Sequence, residues 1–124
     1  MHMSQHSFSK HERLSSEKAI QELFEKGSSF SLYPFRVKIL TQEHESNHSV
    51  LITVSKRFYK RAVDRNIIKR RTREAYRLSK HFLLQEGKSL HIAFIYIGKE
   101  INSFELIQKK LSSILQRIQN ERND

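Results

Sequence analysis

The 124-residue sequence predicts a single α+β domain, a compact α-β-β-α-β-α sandwich with a small sheet. Three apolar runs that are rich in β-branched residues have the length of strands. Three other segments repeat apolar residues at helical spacing. No internal repeat, low-complexity tract or linker divides the sequence. We expect a flexible N-terminal segment at residues 1–12, a folded domain at residues 13–120 and a C-terminal tail at residues 121–124.

The first helix is predicted over residues 16–26, where apolar side chains recur at helical spacing after two serines that can cap the helix. Gly27 follows as the stop signal. Core packing is the ordinary role of an aromatic residue such as Phe24 on a helix of this kind. A strand is predicted over residues 30–40, and Pro34 near its start indicates an edge position or a strand entry. One face of this strand carries Phe35, Val37 and Ile39, and the other carries Arg36 and Lys38.

A polar loop is predicted over residues 42–49, and it contains His44 and His48 at i, i+4 spacing. Metal binding is one interpretation of such a pair, but no third ligand stands in evident register. Two solvated loop histidines are the ordinary interpretation, and this is what we expect.

The second strand is predicted over residues 50–55, which are apolar enough to be buried on both faces. A third strand is predicted over residues 91–97 and is closed by Gly98. Between these two strands lies a basic helix, predicted over about residues 62–79. The final helix carries one apolar stripe between Phe104 and Ile118, within about 100° of the helical wheel, and this stripe is typical of core packing.

The basic stretch at residues 56–77 is the strongest feature of the sequence. Its 22 residues contain ten lysines and arginines against two acids, while the net charge of the whole chain is only +10. Charge of this density is costly to fold unless an anion compensates it, so the stretch indicates a polyanionic partner. A membrane surface is the weaker interpretation, because no strongly apolar helix accompanies the charge.

A helical wheel separates the basic helix into two sides. Val63, Ile67, Ile68, Ala75 and Leu78 share the side expected to dock on the sheet. The opposite side, about 140° wide, carries Arg65, Asn66, Lys69, Arg70, Arg73 and Arg77. Arg71 falls among the apolar residues and is expected to extend its guanidinium outward. A solvated helix face is the ordinary explanation of a charge run, but the scarcity of compensating acids argues for a bound anion here.

Arginine predominates on this helix, and guanidinium groups bind phosphate in a bidentate manner and stack on exposed bases. No helix-turn-helix spacing precedes the helix, as DNA readout by such a motif would require. Aromatic residues on strands beside a basic surface suit unpaired nucleotides, although the RNP signature of an RRM is missing. These observations predict an RNA-binding α+β domain.

Other classes of protein are disfavoured by what the sequence lacks. There is no cysteine, which removes disulfides and thiolate chemistry and suits a reducing cytosol. The longest apolar run, Ile92–Ile97, is far shorter than a membrane span, and no secretory leader is evident, so we expect a cytoplasmic protein. A Ser-His-Asp order, a zinc motif, a Gly-rich phosphate loop and a close acidic cluster are all absent, so we expect no catalytic side chain and no metal site in the protein.

Residues 62–74 resemble the protein subunit of bacterial ribonuclease P. The signature of that family is Arg-Asn, here Arg65-Asn66, then Lys-Arg one helical turn later at Lys69-Arg70, then Arg-Glu at Arg73-Glu74. The preceding Val54-Ser55-Lys56-Arg57 is similar to a strand end in the family, and Arg13-Leu14, Phe24 and Gly27 match its first helix in type and spacing. The resemblance spans about residues 12–118.

This resemblance implies an α-β-β-α-β-α fold with a left-handed β-α-β crossover. It also implies a ribonucleoprotein endonuclease, a hydrolase that removes the 5′ leader of precursor tRNA during tRNA processing. In that enzyme a catalytic RNA and its Mg²⁺ ions supply the chemistry, and the protein binds both the RNA, in a 1:1 complex, and the leader. A ribosome-associated or general RNA-binding protein without processing activity stays open as the alternative.

The resemblance also assigns site residues by position. The RNA-binding set comprises Lys56, Arg57, Lys60, Arg61, Arg65, Asn66, Lys69, Arg70, Arg73 and Arg77. The candidates for the leader cleft are Phe24, Phe35 and Lys38. The family often carries aromatic residues where Lys38 and Ile20 stand, so base stacking is in question at these two positions, although Lys38 can bind phosphate. Family members commonly carry glycine where Leu51 stands, so the second strand is expected to pack differently.

Overall fold

The computed structural model describes residues 12–44 and 47–122, which form a four-stranded mixed sheet with three α-helices. The elements in chain order are α1 (Glu17–Lys26), β1 (Ser28–Leu32), β2 (Phe35–Thr41), β3 (Ser49–Val54), α2 (Ala62–Ser79), β4 (Leu90–Tyr96) and α3 (Phe104–Arg122), with a 3₁₀ turn at Lys80–Phe82 after α2. The strand order in the sheet is β1-β2-β4-β3. The predicted α+β class is confirmed.

The single strand predicted over residues 30–40 is wrong, because the chain reverses within it. Tyr33 and Pro34 form the turn of a β1–β2 hairpin, in which Leu32 pairs with Phe35 and Ser28 with Ile39. Proline has a fixed φ and no N–H to donate, and both properties suit a turn. The order of elements is therefore α-β-β-β-α-β-α, with β1 at one edge of the sheet and β2 inside it.

Strands β3 and β4 are parallel neighbours, and α2 makes the crossover between them. Helices α2 and α3 pack together over one face of the sheet. The core beneath them contains Phe35, Val37, Ile68, Tyr76, Ile92, Phe94, Tyr96, Ile107, Leu111, Ile114 and Leu115. Strand β3 was predicted to be buried on both faces, but only one face is buried. Val50 and Val54 on that face are buried, whereas Leu51 and Thr53 on the other face are partly exposed.

Helix α1 packs on the other face of the sheet, against β2 and β4. Its small apolar cluster is centred on Leu14, Leu23 and Ala93, and Leu51 packs against it. Ser16 caps the helix, since its Oγ accepts a hydrogen bond from the N–H of Ala19 at 3.3 Å.

Gly27 ends α1 for a reason other than a left-handed backbone. Its φ is −69°, which any residue adopts. A Cβ atom at this position would lie 2.4 Å from the carbonyl oxygen of Leu23 and 3.0 Å from that of Ile39. Glycine is therefore required by the close approach of the helix end to β2.

The boundaries of the ordered domain differ from the prediction at both ends. Glu12 was assigned to a flexible segment, but it is buried and its carboxylate accepts hydrogen bonds from the Lys80 ammonium at 2.9 and 3.0 Å. Helix α3 continues through Arg122, two residues into the predicted tail. Residues 1–11 and 123–124 lie outside the described residues.

The expectation of two solvated histidines is wrong for His48, although His44 is exposed. The His48 ring is fully buried, with Nε2 2.7 Å from the carbonyl oxygen of Leu84 and with Nδ1 accepting the N–H of Leu90 at 2.9 Å. Backbone partners satisfy both ring nitrogens, so the neutral imidazole can be buried. Burial lowers the pKa of His48 below its ordinary value.

Candidate nucleic-acid interface

Helix α2 is held by one buried side and displays the other. Ile68, Thr72 and Ala75 are fully buried, and the Thr72 hydroxyl donates to the carbonyl oxygen of Ile68 at 2.8 Å, which removes an unpaired polar group from the core. The wheel misplaced Val63, which is half exposed because it lies in the first turn, ahead of the buried contacts of the helix.

The opposite side of α2 and the loop before it form one surface, which we call the cationic ridge. It comprises Lys56, Arg57, Lys60, Arg61, Arg65, Asn66, Lys69, Arg70, Arg73 and Arg77. Asn66, Arg70 and Arg73 are exposed, whereas Arg65, Lys69 and Arg77 are half buried. The ten predicted RNA-binding residues therefore lie on α2 and the loop before it, with different degrees of access to solvent.

Several arginines of the cationic ridge have intramolecular partners, among them Arg61, whose Nε lies 3.9 Å from the Asp64 carboxylate. Nη1 of Arg65 donates to the carbonyl oxygens of Tyr59 and Lys60, both at 2.8 Å. The Arg77 guanidinium makes a bidentate ion pair with Glu74, with both contacts at 2.7 Å. These hydrogen bonds lower the pKa of Glu74. Arg65 thus supports the loop before α2, and the charge of Arg77 is largely compensated.

Tyr59 fixes the same loop from the side of the core. Its hydroxyl donates to the carbonyl oxygen of Gly98 at 2.6 Å, and its N–H donates to the carbonyl oxygen of Ser55 at 3.0 Å. The ring is buried, and burial raises the pKa of Tyr59. The exposed cations on either side of Tyr59 therefore project from a loop whose backbone is held at several points.

Two cavities meet at the C-terminal half of the ridge. The larger has a volume of about 530 Å³ and is lined by Arg13, Arg70, Arg71, Arg73, Glu74 and Arg77. The smaller, about 220 Å³, is lined by Arg13, Leu14, Ser15, Val50, Leu51, Ile52 and Arg73. Arg13 and Arg73 line both cavities, so the two are adjacent. Five arginines against one glutamate suit a phosphate group.

Two arginines of the larger cavity were not assigned to the site from the sequence. Arg71 is half buried, and its Nη1 donates to the carbonyl oxygen of Asn102 at 2.7 Å. Arg13 is brought beside α2 because the N–H of the next residue, Leu14, donates to the carbonyl oxygen of Val50 at 2.9 Å. That contact joins residues far apart in the sequence, and no local pattern indicates it.

The sheet face on the side of α1 is only partly covered. The N–H of Leu14 donates to the carbonyl oxygen of Val50, and Gly27 lies against the carbonyl oxygen of Ile39. Val50 on β3 and Ile39 on β2 both pair with Ile92 on β4. Both ends of the α1 segment therefore lie over the same row of the sheet. Arg36, Thr53 and Ile95 lie in a row three residues along β4 from Ile92, and with Lys38 they form what we call the open face.

Phe24 and Lys38 meet where α1 borders the open face. Phe24 is 37% exposed, so the core role expected for it is wrong. The Lys38 ammonium donates to the carbonyl oxygen of Phe24 at 3.1 Å and lies 5.6 Å from the centroid of its ring, within range of a cation–π interaction. The pair places an aromatic surface and a positive charge side by side.

Phe35, the third candidate for the leader cleft, does not line this face. It has no exposed surface and packs edge-on against Phe94 and Tyr96, with ring centroids 6.2 and 5.6 Å apart. Side chains alternate along a strand, so Phe35 points into the core while Arg36 and Lys38 point to the open face. The alternation in the sequence already contained this signal.

None of the helices among the described residues combines the length and apolar character needed to cross a membrane. In the same part of the chain, no cluster of three or more His, Asp or Glu side chains could hold a metal ion.

Comparison with known proteins identifies the family. The family model for ribonuclease P matches residues 8–119. A ribonuclease P protein component from Porphyromonas gingivalis is 40% identical over 116 residues, covering 89% of this chain and 85% of that protein. Another from Chlorobium phaeobacteroides is 36% identical over 128 residues, covering 90% of this chain and 88% of that protein.

Solved structures agree in fold. The ribonuclease P protein of Thermotoga maritima has a TM-score of 0.71 at 27% identity, covering 86% of this chain and 96% of that one. The protein from Staphylococcus aureus has a TM-score of 0.68 at 25% identity, covering 86% and 94%. The fold and the cationic ridge together define a small α+β domain with one strongly basic side. The chain belongs to the ribonuclease P protein component family, and a component of that ribonuclease implies an RNA partner.

Proposed function

We propose that this chain binds the catalytic RNA of ribonuclease P through the cationic ridge and the 5′ leader of precursor tRNA through the open face. In doing so it promotes endonucleolytic removal of the leader and maturation of the tRNA 5′ end. The observation that carries the proposal is the exposed set Asn66, Arg70 and Arg73, which presents the family signature to solvent on a helix anchored in the core.

The chemistry of the cationic ridge favours the backbone of a large RNA. Exposed guanidinium groups along a helix contact phosphates regardless of the base, and each contact releases counterions from the RNA. The cavity shared by Arg13 and Arg73 adds a site in which a phosphate can be held from two elements at once. This surface therefore assembles the ribonucleoprotein, with one protein per RNA as the proposed stoichiometry.

The open face favours an unpaired strand. Its floor carries short or aliphatic side chains such as Thr53 and Ile95, so a single strand can approach the sheet closely. At its border the Phe24 ring offers a stacking surface and Lys38 offers a charge for phosphate. A duplex has no exposed base faces, so these groups suit the leader better than the folded tRNA body.

The protein contributes binding and orientation in this proposal. We assign the Mg²⁺ ions of the enzyme to the catalytic RNA. The active-site groups of the hydrolase would then belong to the RNA, and the complex would act in the cytoplasm.

Reconstitution tests the proposal. The protein is mixed with its catalytic RNA and with precursor tRNA at low Mg²⁺, and cleavage at the mature 5′ end is followed. We expect the protein to raise both the cleavage rate and the affinity for substrates that carry a leader. Lys109→Ala, which removes an exposed charge on α3 outside the cationic ridge, serves as the matched control for Arg73→Ala.

Two other outcomes would reject the proposal. Tight RNA binding without any change in cleavage or leader affinity would indicate a general RNA-binding or ribosome-associated protein. Cleavage that survives complete removal of RNA from the preparation would indicate a nuclease within the protein.

A further inference from the structure

Tyr33 is an aromatic residue whose ring is held in place by a hydrogen bond and is still exposed to solvent. Its side chain is 54% exposed at the tip of the β1–β2 hairpin. Its hydroxyl accepts the N–H of Lys99 at 3.0 Å, which ties the ring to the loop that follows β4. An exposed ring contributes little to the core, so a hydrogen bond that holds it in position calls for another explanation.

The turn beneath Tyr33 is well anchored. Pro34 is buried, and its carbonyl oxygen accepts the N–H of Ile97 at 2.8 Å. A Cβ atom added to Gly98 would lie 3.0 Å from the Cβ of Pro34 and 2.9 Å from the Tyr96 ring. The hairpin tip and the loop after β4 are therefore in close contact, and Tyr33 stands on a firm base.

Positive charge connects this ring with the open face. Arg36 is exposed on the open face, two residues along β2 from Lys38 and three residues from Tyr33. Lys38 lies about 10 Å along the extended strand from Phe35, and Tyr33 lies in the turn just before Phe35. Lys99 is exposed beside Tyr33, and Glu100 is the neighbouring acid. A strand that lies on Phe24 and Lys38 and continues past Arg36 toward the start of β2 would reach the hairpin tip that carries Tyr33.

We propose that Tyr33 is a second stacking platform, which holds an unpaired base of the leader distal to the nucleotide at Phe24, with Arg36 contacting the phosphates between them. The occupant is the leader, because Arg36 links Tyr33 to the open face, whereas the catalytic RNA is assigned to the ridge on α2. This inference rests on the proposed function.

The test measures the affinity of the holoenzyme for precursor tRNAs whose leaders are lengthened one nucleotide at a time. With the wild-type protein, affinity should rise once when the leader reaches Phe24 and a second time when it becomes long enough to reach Tyr33. Tyr33→Leu should remove this second rise, lowering affinity for long leaders about 5- to 30-fold, as expected for one lost base–aromatic stack. Short leaders should bind equally well to both proteins.

Tyr33→Phe separates stacking from anchoring, because it keeps the ring and removes the hydroxyl that accepts from Lys99. We expect it to retain most of the affinity for long leaders. Leu84→Ala, which truncates an exposed apolar residue beside the buried His48, is the control for loss of surface area. An abasic nucleotide at the distal position should weaken binding to the wild-type protein by the same factor and should have no further effect with Tyr33→Leu.

The outcomes separate the two proposals. If wild-type affinity shows no dependence on the leader at any length, the assignment of the leader to the open face fails, and the role of Tyr33 fails with it. If wild-type affinity depends on length and Tyr33→Leu follows the same curve, only the role of Tyr33 fails. An equal loss for short and long leaders, or a loss of affinity for the catalytic RNA, would also overturn it.

Discussion

The cationic ridge and the open face lie on different sides of the sheet and differ in the kind of contact they offer. The ridge consists of long charged side chains on one helix, and its cations lie close together. The open face consists of short and aliphatic side chains on three strands, with two cations and one exposed ring at its border. Dense charge suits the phosphates of a structured RNA, and a shallow apolar floor suits unpaired bases. One small domain can therefore offer separate surfaces to a structured RNA and to an unpaired strand.

The largest effect should come from a residue that belongs to neither surface. Phe35→Ala removes a fully buried ring and should lower the free energy of unfolding by about 3–5 kcal/mol. Phe24→Ala removes a partly exposed ring and should cost about 1 kcal/mol. Denaturant titration of both variants measures the difference. Equal losses would place both rings in the core and would remove the aromatic border of the open face.

Charge on the ridge should have the next largest effect. Arg70→Ala and Arg73→Ala should each weaken binding to the catalytic RNA by about tenfold, and each should reduce the slope of log K against log salt by roughly one phosphate contact. Lys38→Met should leave that affinity unchanged. Filter binding over a range of salt concentrations provides the measurement. An unchanged salt slope for Arg73→Ala would show that this guanidinium does not contact the RNA.

The border of the open face should give a smaller and more selective change. Phe24→Ala should lower the affinity of the holoenzyme for precursor tRNA by about 5- to 30-fold, the effect of one lost base stack, without changing its affinity for mature tRNA. A variant that lost affinity for both tRNAs would indicate a general defect in assembly. The melting temperature, measured on the same samples, corrects for any loss of folded protein.

Titration of His48 should affect stability alone, and only in acid. The pKa of the buried imidazole is lowered below its ordinary value of 6.5, so the unfolded chain binds this proton at a higher pH than the folded chain does. Stability should therefore be fully present above about pH 6.5 and should decrease as the pH falls through that value. His91, whose pKa is also lowered by burial, adds to the trend. Denaturation midpoints from pH 8 to pH 5 measure it, with His44→Gln as the control; a flat profile would contradict the prediction.

The ridge could be predicted from the sequence because its residues are consecutive on one helix. Charge density and a wheel are sufficient to find Arg70 and Arg73 and to assign them to one side. The backbone partners of Arg65 could not be predicted in the same way, since a charge count does not show which guanidinium groups are already hydrogen-bonded within the protein. The family signature marks these residues as important without saying whether they bind RNA or support the fold.

The open face was harder to predict because it joins residues from α1, β2, β3 and β4. The apolar run around Pro34 was predicted as one strand, and the proline was interpreted as an edge position or a strand entry, whereas it lies in the turn of a hairpin. Phe35 was grouped with Phe24 by family position, against the alternation that sends it into the core. Arg13 and His48 owe their places to long-range contacts with Val50, Leu84 and Leu90, which no local pattern encodes.

The loop between β3 and α2 is held by Tyr59, whose hydroxyl bonds to Gly98, and by Arg65, which bonds to two of the loop carbonyls. Ordering a flexible loop at an interface costs free energy, in addition to about 0.5–1.5 kcal/mol for each long side chain that is immobilised. Here the backbone has already lost its freedom during folding. The four cations that the loop carries can therefore meet RNA with only their side chains left to order.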